Sequence, residues 1–261
     1  ERYRIVVLVV NCILFLTTIS LNATSIITIR RSSQLKSKVC YFVILLQSAV
    51  DLGVGVLGIP LHIYCLMMPF LDTLNCTFVL LIRRTAYLTY ALSIVTVSAM
   101  TLERYIGALH PYYYETNVTK KRILCYVCVF GFIVFLVLGY SFRNATISRR
   151  LTQALVAVFF LFTVFAYVRI YLVIRKLIRS ERRPTCQNAG NANALKRQII
   201  RESRQATSCF LVVICFVSFL LPSTLSSAAF SYGTADFIVY RNWTITSMIL
   251  NSSINSLIFF W

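Results

Sequence analysis

Apolar runs of twenty or more residues recur along the whole of this 261-residue chain. A run of that length is what an α-helix needs to cross the hydrocarbon core of a bilayer. The composition agrees, because 58% of the residues are hydrophobic and 13% are charged, against roughly a quarter charged in soluble domains. The runs do not alternate between apolar and polar residues, which excludes a transmembrane β-barrel. We therefore predict an all-α, multi-pass membrane protein.

The runs predict a bundle of seven transmembrane helices in a single domain, residues 1–261, with both native termini missing. Short basic or polar segments separate the runs, and a prolonged one, 179–204, precedes the sixth. Prolines at 60 and 222 are expected to kink the second and sixth spans. The predicted spans are 5–29, 39–66, 73–116, 123–141, 151–177, 206–231 and 237–261, with a short loop at 142–150.

Basic residues predict the orientation of the bundle. They divide 18 to 8 in favour of the side that contains the loops after spans one, three and five, which is therefore cytoplasmic. The N-terminus is then extracellular and the C-terminus cytoplasmic. This distribution makes the net charge of +18 a topology signal rather than a sign of nucleic-acid binding. Glycosylation sequons on the outer side are Asn75, Asn144 and Asn242.

The third run ends in a carboxylate, a guanidinium and a phenol, at Glu103, Arg104 and Tyr105. Pro111 follows Arg104 by seven residues and is expected to stop the helix. Charges at the mouth of a membrane helix are costly unless they are paired or have a task. Taken alone, the three residues are explained equally well as a helix-end pair that snorkels into the lipid headgroups.

Seven spans with an outer N-terminus and Glu-Arg-Tyr at the inner end of span three resemble a rhodopsin-like (class A) G-protein-coupled receptor. The resemblance covers essentially the whole chain. The family's span-three signature is matched by Glu103, Arg104, Tyr105 and Pro111. Further family positions are matched by Asn22 in span one, Asp51 in span two, Tyr167 in span five, Glu202, Phe216 and Pro222 in span six, and Asn255 in span seven.

Some positions depart from the family pattern. Leu220 stands where the family usually has the span-six tryptophan, and Ser256 and Phe259 replace the proline and tyrosine of the span-seven motif. The second outer loop is short and has no cysteine to receive Cys76, which instead flanks a short loop together with Cys65 and could pair with it in an oxidising lumen.

The short loop, the absent loop cysteine and the absent span-five proline are loosely similar to the melanocortin, adenosine and cannabinoid receptors. The resemblance therefore implies a divergent member of the family with no particular ligand indicated. Ala86 stands at the ligand aspartate of monoamine receptors, and Ile249 stands at the retinal lysine of opsins. Neither class is expected, and no retinal cofactor is expected.

Polar residues in the middle of the membrane form the first candidate site. Asp51 needs partners because an isolated carboxylate there is costly. The resemblance implies that this site is a sodium pocket, while a hydrogen-bonded network without an ion is the alternative. The candidate residues are Asn22, Asp51, Ser93, Asn251 and Asn255.

The cytoplasmic end of the bundle forms the second candidate site. The resemblance implies that Arg104 pairs with Glu103 and with Glu202 of span six, so that breaking the pairs frees span six to move. Tyr167 would then meet Arg104, and Tyr105 completes the switch. The hinge of span six is expected at Phe216, Leu220 and Pro222.

A ligand site is expected between the outer halves of the helices. Arginines near an outer helix end suggest an acidic or carboxylate-bearing ligand, although snorkelling to lipid phosphates explains them at least as well. The candidate residues are His62, Arg84, Tyr87, Tyr90, Ser223, Ser227 and Ile245.

These patterns predict a plasma-membrane receptor that binds an unknown extracellular ligand and activates a heterotrimeric G protein. Membrane lipids are the other expected partner, and nucleic acid is not expected. No catalytic or metal-binding motif supports an enzyme. The alternatives are a heptahelical protein that has lost coupling and, with less support, a transporter or channel, which would need several intramembrane acids where this chain has Asp51.

Overall fold

A computed structural model describes residues 2–68, 76–140, 143–181 and 235–260, and these residues are almost entirely helical. A π-helical turn, Val54–Gly58, joins two of the helices. The helices are α1 (Arg2–Arg31), α2 (Ser33–Ser37), α3 (Val39–Gly53), α4 (Ile59–Met67), α5 (Cys76–Leu109), α6 (Pro111–Asn117), α7 (Lys120–Tyr140), α8 (Ala145–Glu181) and α9 (Ala235–Phe260).

Five segments of the described chain are long and apolar enough to cross a membrane, and they coincide with the first five predicted spans. Helix α9 lies at the seventh predicted span, and the sixth falls outside the described residues. An all-α membrane protein is thus supported, while the total of seven spans and the orientation remain predictions. The five segments are Tyr3–Arg31, Val39–Met67, Ala91–Leu109, Lys120–Tyr140 and Arg150–Lys176.

Helix α5 is the centre of the described bundle. It contacts α3, α4, α6, α7 and α8, and every residue from 93 to 101 is buried. Nine successive buried residues cover the full circumference of an α-helix, since one turn takes 3.6 residues. A helix segment that is buried all round is a core element rather than a surface one, so this part of α5 is held from several sides.

The periphery of the bundle is apolar and exposed, as a lipid-facing surface requires. On α1 the exposed side chains include Leu16, and on α7 and α8 they include Phe132 and Leu161. Helix α1 is covered on its other side by α9 and α3. These contacts bring the polar residues of span one against those of span seven.

The π-helical turn in span two lies just before Pro60, where the sequence predicts a kink. Proline has no N–H to donate and clashes with the carbonyl four residues earlier, so a regular α-helical pattern is disturbed there. The turn also contains Gly55, where an added Cβ would lie 3.1 Å from Cγ1 of Ile19 on α1. Spans one and two therefore approach each other closely at this turn.

The structure confirms the predicted helix break near Pro111 and contradicts the predicted loop at 142–150. The helix break near Pro111 is confirmed, because α5 ends at Leu109 and the short helix α6 begins at Pro111. The loop predicted at 142–150 is wrong, because α8 begins at Ala145. The reason is a helix cap: Oδ1 of Asn144 accepts a hydrogen bond from the backbone N–H of Ile147 at 3.2 Å, which satisfies one free donor of the first turn.

Candidate functional site

The carboxylate of Asp51 is fully buried where α3 packs against α5 and α9. Its Oδ1 accepts a hydrogen bond from Oγ of Ser93 at 3.1 Å, and its Oδ2 accepts one from Nδ2 of Asn255 at 3.2 Å. The structure therefore brings together three residues of the predicted polar set, one from each of three helices. Packing alone could not hold a carboxylate here, because a buried charge needs hydrogen-bond donors.

Gln47 is the partner of Asp51 that the sequence prediction missed. Its Nε2 donates to Oδ2 of Asp51 at 2.8 Å and to Oγ of Ser93 at 3.0 Å. Its Oε1 is hydrogen-bonded to the hydroxyl of Thr96. A signal was present in the sequence, since residues four apart lie on one face of a helix and Gln47 precedes Asp51 by four.

A polar seam joins α1 to α9 beside this network. Nδ2 of Asn22 donates to the backbone carbonyl of Ser252 at 3.2 Å, and Oγ of Ser256 donates to Oδ1 of Asn22 at 2.6 Å. The hydroxyls of Thr18 and Ser253 lie 2.6 Å apart. Hydrogen bonds between small polar side chains are a common way of holding membrane helices together. Ser256, which departs from the family motif, is therefore a structural partner of Asn22.

Asn251 is the member of the predicted set that the structure leaves outside these contacts. It is buried, and its Oδ1 has no hydrogen-bond partner. The Oδ1 of Asn255 is also without a donor, because the nitrogen of that amide faces Asp51. Two buried amide oxygens of α9 are thus unsatisfied, and that of Asn255 belongs to an amide bonded to the carboxylate.

The C-terminal end of α5, which is predicted to be cytoplasmic, holds the second cluster. Glu103 is 2% exposed, and its Oε2 lies 3.1 Å from Nε of Arg104. The two atoms form an ion pair without the alignment of a hydrogen bond. The other carboxylate oxygen, Oε1, accepts a hydrogen bond from the phenol of Tyr114 on α6 at 2.5 Å.

Tyr114 was also missed by the sequence prediction. The helix breaks at Pro111, and α6 folds back against α5. Tyr114 therefore contacts Glu103, although the two residues are eleven positions apart in the sequence. Burial, followed by the charge of Glu103, raises the pKa of the Tyr114 phenol above its ordinary value of 10.0. The phenol therefore stays protonated at neutral pH, as a hydrogen-bond donor must.

The remaining described switch residues pack against α8. Tyr167 is buried in an apolar cluster with Ala99 and Ile170, and the ring of Tyr105 lies 6.1 Å from that of Phe165. These contacts hold this part of α8 against α5. Glu202 and the hinge residues Phe216, Leu220 and Pro222 lie outside the described residues.

At the predicted outer side, His62 on α4 is buried and its Nε2 has no hydrogen-bond partner. The charge of Arg241 on α9 acts on this imidazole. Arg84 is partly buried on α5, and Ile245 packs in an apolar cluster with Leu14.

Several predicted residues fall outside what the structure describes. They are the side chains of Tyr87, Tyr90, Cys76 and Phe259 and the whole of Asn75, Ser223 and Ser227. The proposed pairing of Cys65 with Cys76 therefore stays a prediction.

Of the two outer sequons that the structure describes, Asn144 is exposed and Asn242 is 8% exposed within α9. A glycan needs an accessible acceptor, so the structure favours Asn144 as the glycosylated residue.

No family model matches the chain. A stretch of 119 residues is 32% identical to neuromedin-U receptor 2 of Mus musculus, which corresponds to 44% of this chain and 29% of that protein. The chain thus spans less than a third of the length of the curated relative it matches. The similarity links the chain to a receptor and, with the apolar helices, supports a receptor-like membrane protein.

Proposed function

We propose that this chain is the helical core of a rhodopsin-like G-protein-coupled receptor at the plasma membrane. In this proposal it has seven spans with the N-terminus outside, binds a ligand between the outer halves of its helices, and activates a heterotrimeric G protein at the inner end. The similarity to a receptor supports the general class. The specific mechanism is supported by the residues at the inner end of α5.

The observation that carries the proposal is the ion pair of Glu103 and Arg104, which follows directly on the fully buried stretch 93–101 of α5. A charged pair at a membrane boundary costs free energy, and a surface pair contributes little stability in return. Here the carboxylate is buried and held by a hydrogen bond from Tyr114 on α6 as well as by its ion pair with Arg104, so the guanidinium is placed at the inner face with one partner already fixed. An arginine held in this way can exchange partners when a neighbouring helix moves.

The ligand site is supported by the outer residues. Nε2 of His62 is buried without a partner, and a positive charge from Arg241 lies close to it. A ligand that offers an acceptor would satisfy a protonated Nε2 of His62, and an anionic group on it would be attracted by the charge of Arg241. This agrees with the acidic or carboxylate-bearing ligand suggested by Arg84.

The deciding experiment is a second-messenger and G-protein dissociation panel in cells that express the full-length protein. Basal or ligand-driven signal is expected, and Arg104→Ala is expected to abolish it at equal surface expression. The matched control is Arg143→Ala, an exposed arginine of the predicted outer loop, which should leave the signal unchanged. A signal that survives Arg104→Ala, or falls equally in both variants, would contradict the proposed switch.

A receptor-like protein without coupling is the second candidate. It is favoured by the hydrogen bond of Ser256 to Asn22, which ties the span-seven motif region of α9 to α1 at a position where the family has a proline. Under this alternative the chain binds a ligand but the panel shows no signal. Ligand binding measured on the same cells separates it from a transporter, which would instead move its substrate across the membrane.

A further inference from the structure

We propose that the side-chain amide of Gln47 takes the place of a cation at Asp51, so that this chain holds its buried carboxylate without sodium. The family resemblance implies a sodium ion at this position, and the donor set can be tested against it. A hard cation takes oxygen ligands. The residues that face Asp51 in this structure present mainly hydrogen-bond donors.

The side-chain amide of Gln47 bridges Asp51 and Ser93. Its Nε2 lies 2.8 Å from Oδ2 of Asp51 and 3.0 Å from Oγ of Ser93, and these are two of the oxygens that the predicted ion would need. An amide nitrogen carries two hydrogens, and both are used here. The partially positive NH₂ group therefore sits where the charge of a cation would otherwise lie.

The orientation of the amide follows from its neighbours. An ionised carboxylate only accepts hydrogen bonds, so the nitrogen of Gln47 and not its oxygen must face Asp51. The same holds for Asn255, whose Nδ2 lies 3.2 Å from Oδ2 of Asp51. Among the described residues, two amide nitrogens and the hydroxyl of Ser93 donate to the carboxylate, and the hydroxyl of Ser252 on α9 also interacts with it. An amide nitrogen with both hydrogens is not a cation ligand.

The described residues of this arrangement are buried. Gln47 is 3% exposed, Ser93 is 2% exposed, and Asp51 and Thr96 are 0% exposed. A cation at the position of the Gln47 amide would have to displace it, which would break its bonds to Asp51 and to Ser93 and Thr96 on α5 and leave its donors unsatisfied. The Oδ1 atoms of Asn251 and Asn255 have no partner, and such oxygens suit a cation or a water. This observation favours the sodium site over the proposed arrangement. The experiment below decides between the two arrangements.

The test measures thermal stability of the purified full chain in detergent at constant ionic strength, with sodium chloride against N-methyl-D-glucamine chloride. Wild type is expected to have the same melting temperature in both salts. Gln47→Leu removes the donors and opens the site, so its melting temperature should be higher in sodium by about 3 °C. The double variant with Asp51→Asn should lose that difference.

Asn11→Leu is the matched control, since Asn11 is another buried amide that bridges helices, through Thr246, without touching a carboxylate. It should lower stability in both salts and gain no sodium response. Gln47→Met replaces Gln47→Leu if the leucine variant does not fold. If neither variant folds, the comparison of wild-type melting temperatures in the two salts still decides the proposal. A sodium-specific stabilisation of wild type that Asp51→Asn removes would overturn the proposal. So would a folded Gln47→Leu with no sodium response. The readout is independent of signalling, so its outcome is separate from that of the receptor proposal.

Discussion

The phenol of Tyr114 on α6 donates a hydrogen bond across 2.5 Å to Oε1 of Glu103 on α5, while Oε2 of the same carboxylate faces Arg104. One buried acid thus joins the C-terminal end of the central helix to the short helix that follows it. Arg104 and Tyr114 both interact with the single charge of Glu103. Replacing either side chain therefore changes the interaction of the other with that carboxylate.

Tyr114→Phe is expected to lower the stability of the protein. The change leaves Oε1 of Glu103 buried without its donor, which costs about 1–3 kcal/mol. The melting temperature of the purified protein should fall by about 3 °C or more. Tyr112→Phe is the control, because Tyr112 is on the same helix and 82% exposed. Equal melting temperatures for wild type and Tyr114→Phe would show that the hydrogen bond contributes nothing.

The contribution of Tyr114 should depend on pH in the alkaline range. Its pKa is raised in the folded state, so its contribution is fully present below the ordinary phenol pKa of about 10 and is lost as the pH rises through the folded value. The difference in melting temperature between wild type and Tyr114→Phe should be constant from pH 7 to 9 and shrink above about pH 10. A difference in melting temperature that grows as the pH rises above about 10 would contradict this prediction.

Glycosylation should occur at Asn144 and not at Asn242. Asn144 is exposed at the start of α8, whereas Asn242 is buried in α9. Treatment with an N-glycosidase should shift the mobility of wild type and of Asn242→Gln, and it should leave Asn144→Gln unshifted unless Asn75 also carries a glycan. A shift that disappears only in Asn117→Gln would reverse the predicted orientation of the bundle.

Ser256→Ala is expected to destabilise the contact between α1 and α9. The hydroxyl of Ser256 is the donor to Oδ1 of Asn22 at 2.6 Å in a buried setting, and its loss should cost about 1–3 kcal/mol. Ser247→Ala is the control on the same helix, because Ser247 is bonded to its own helix at the exposed carbonyl of Trp243. A thermal-shift assay that ranks the two variants equally would contradict a structural role for Ser256.

Glu202→Ala should raise basal signalling several-fold, since a partly buried pair with Arg104 would hold the inactive state. Glu202→Asp, one methylene shorter, should do so less. Glu202 lies outside the described residues, so this pairing comes from the sequence and the family resemblance. Unchanged basal signal in Glu202→Ala, with ligand response intact, would assign Glu202 to a solvated helix start.

The sequence predicts those parts of the site that depend on spacing within one helix or on a known family position. Asp51, Ser93 and Asn255 were named in advance, and the structure places them in one network. The spacing of Gln47 from Asp51 places both on one face of α3, but spacing within a helix does not predict that the amide also reaches Ser93 and Thr96 on α5. Tyr114 was not named because its contact depends on the angle at which α6 turns back after Pro111, and a proline marks the break without setting that angle.

The π-helical turn at Val54–Gly58 holds one residue more than an α-helical turn of the same span would. Removing Val56, which is exposed to the lipid side, would convert the turn to regular α-helix while Asp51 and His62 kept their directions. Removing a residue from the regular helix of α3 would instead rotate everything beyond it by about 100° and turn His62 away from the bundle. Span two is therefore able to change length by one residue at this single point without exchanging its inward and outward faces.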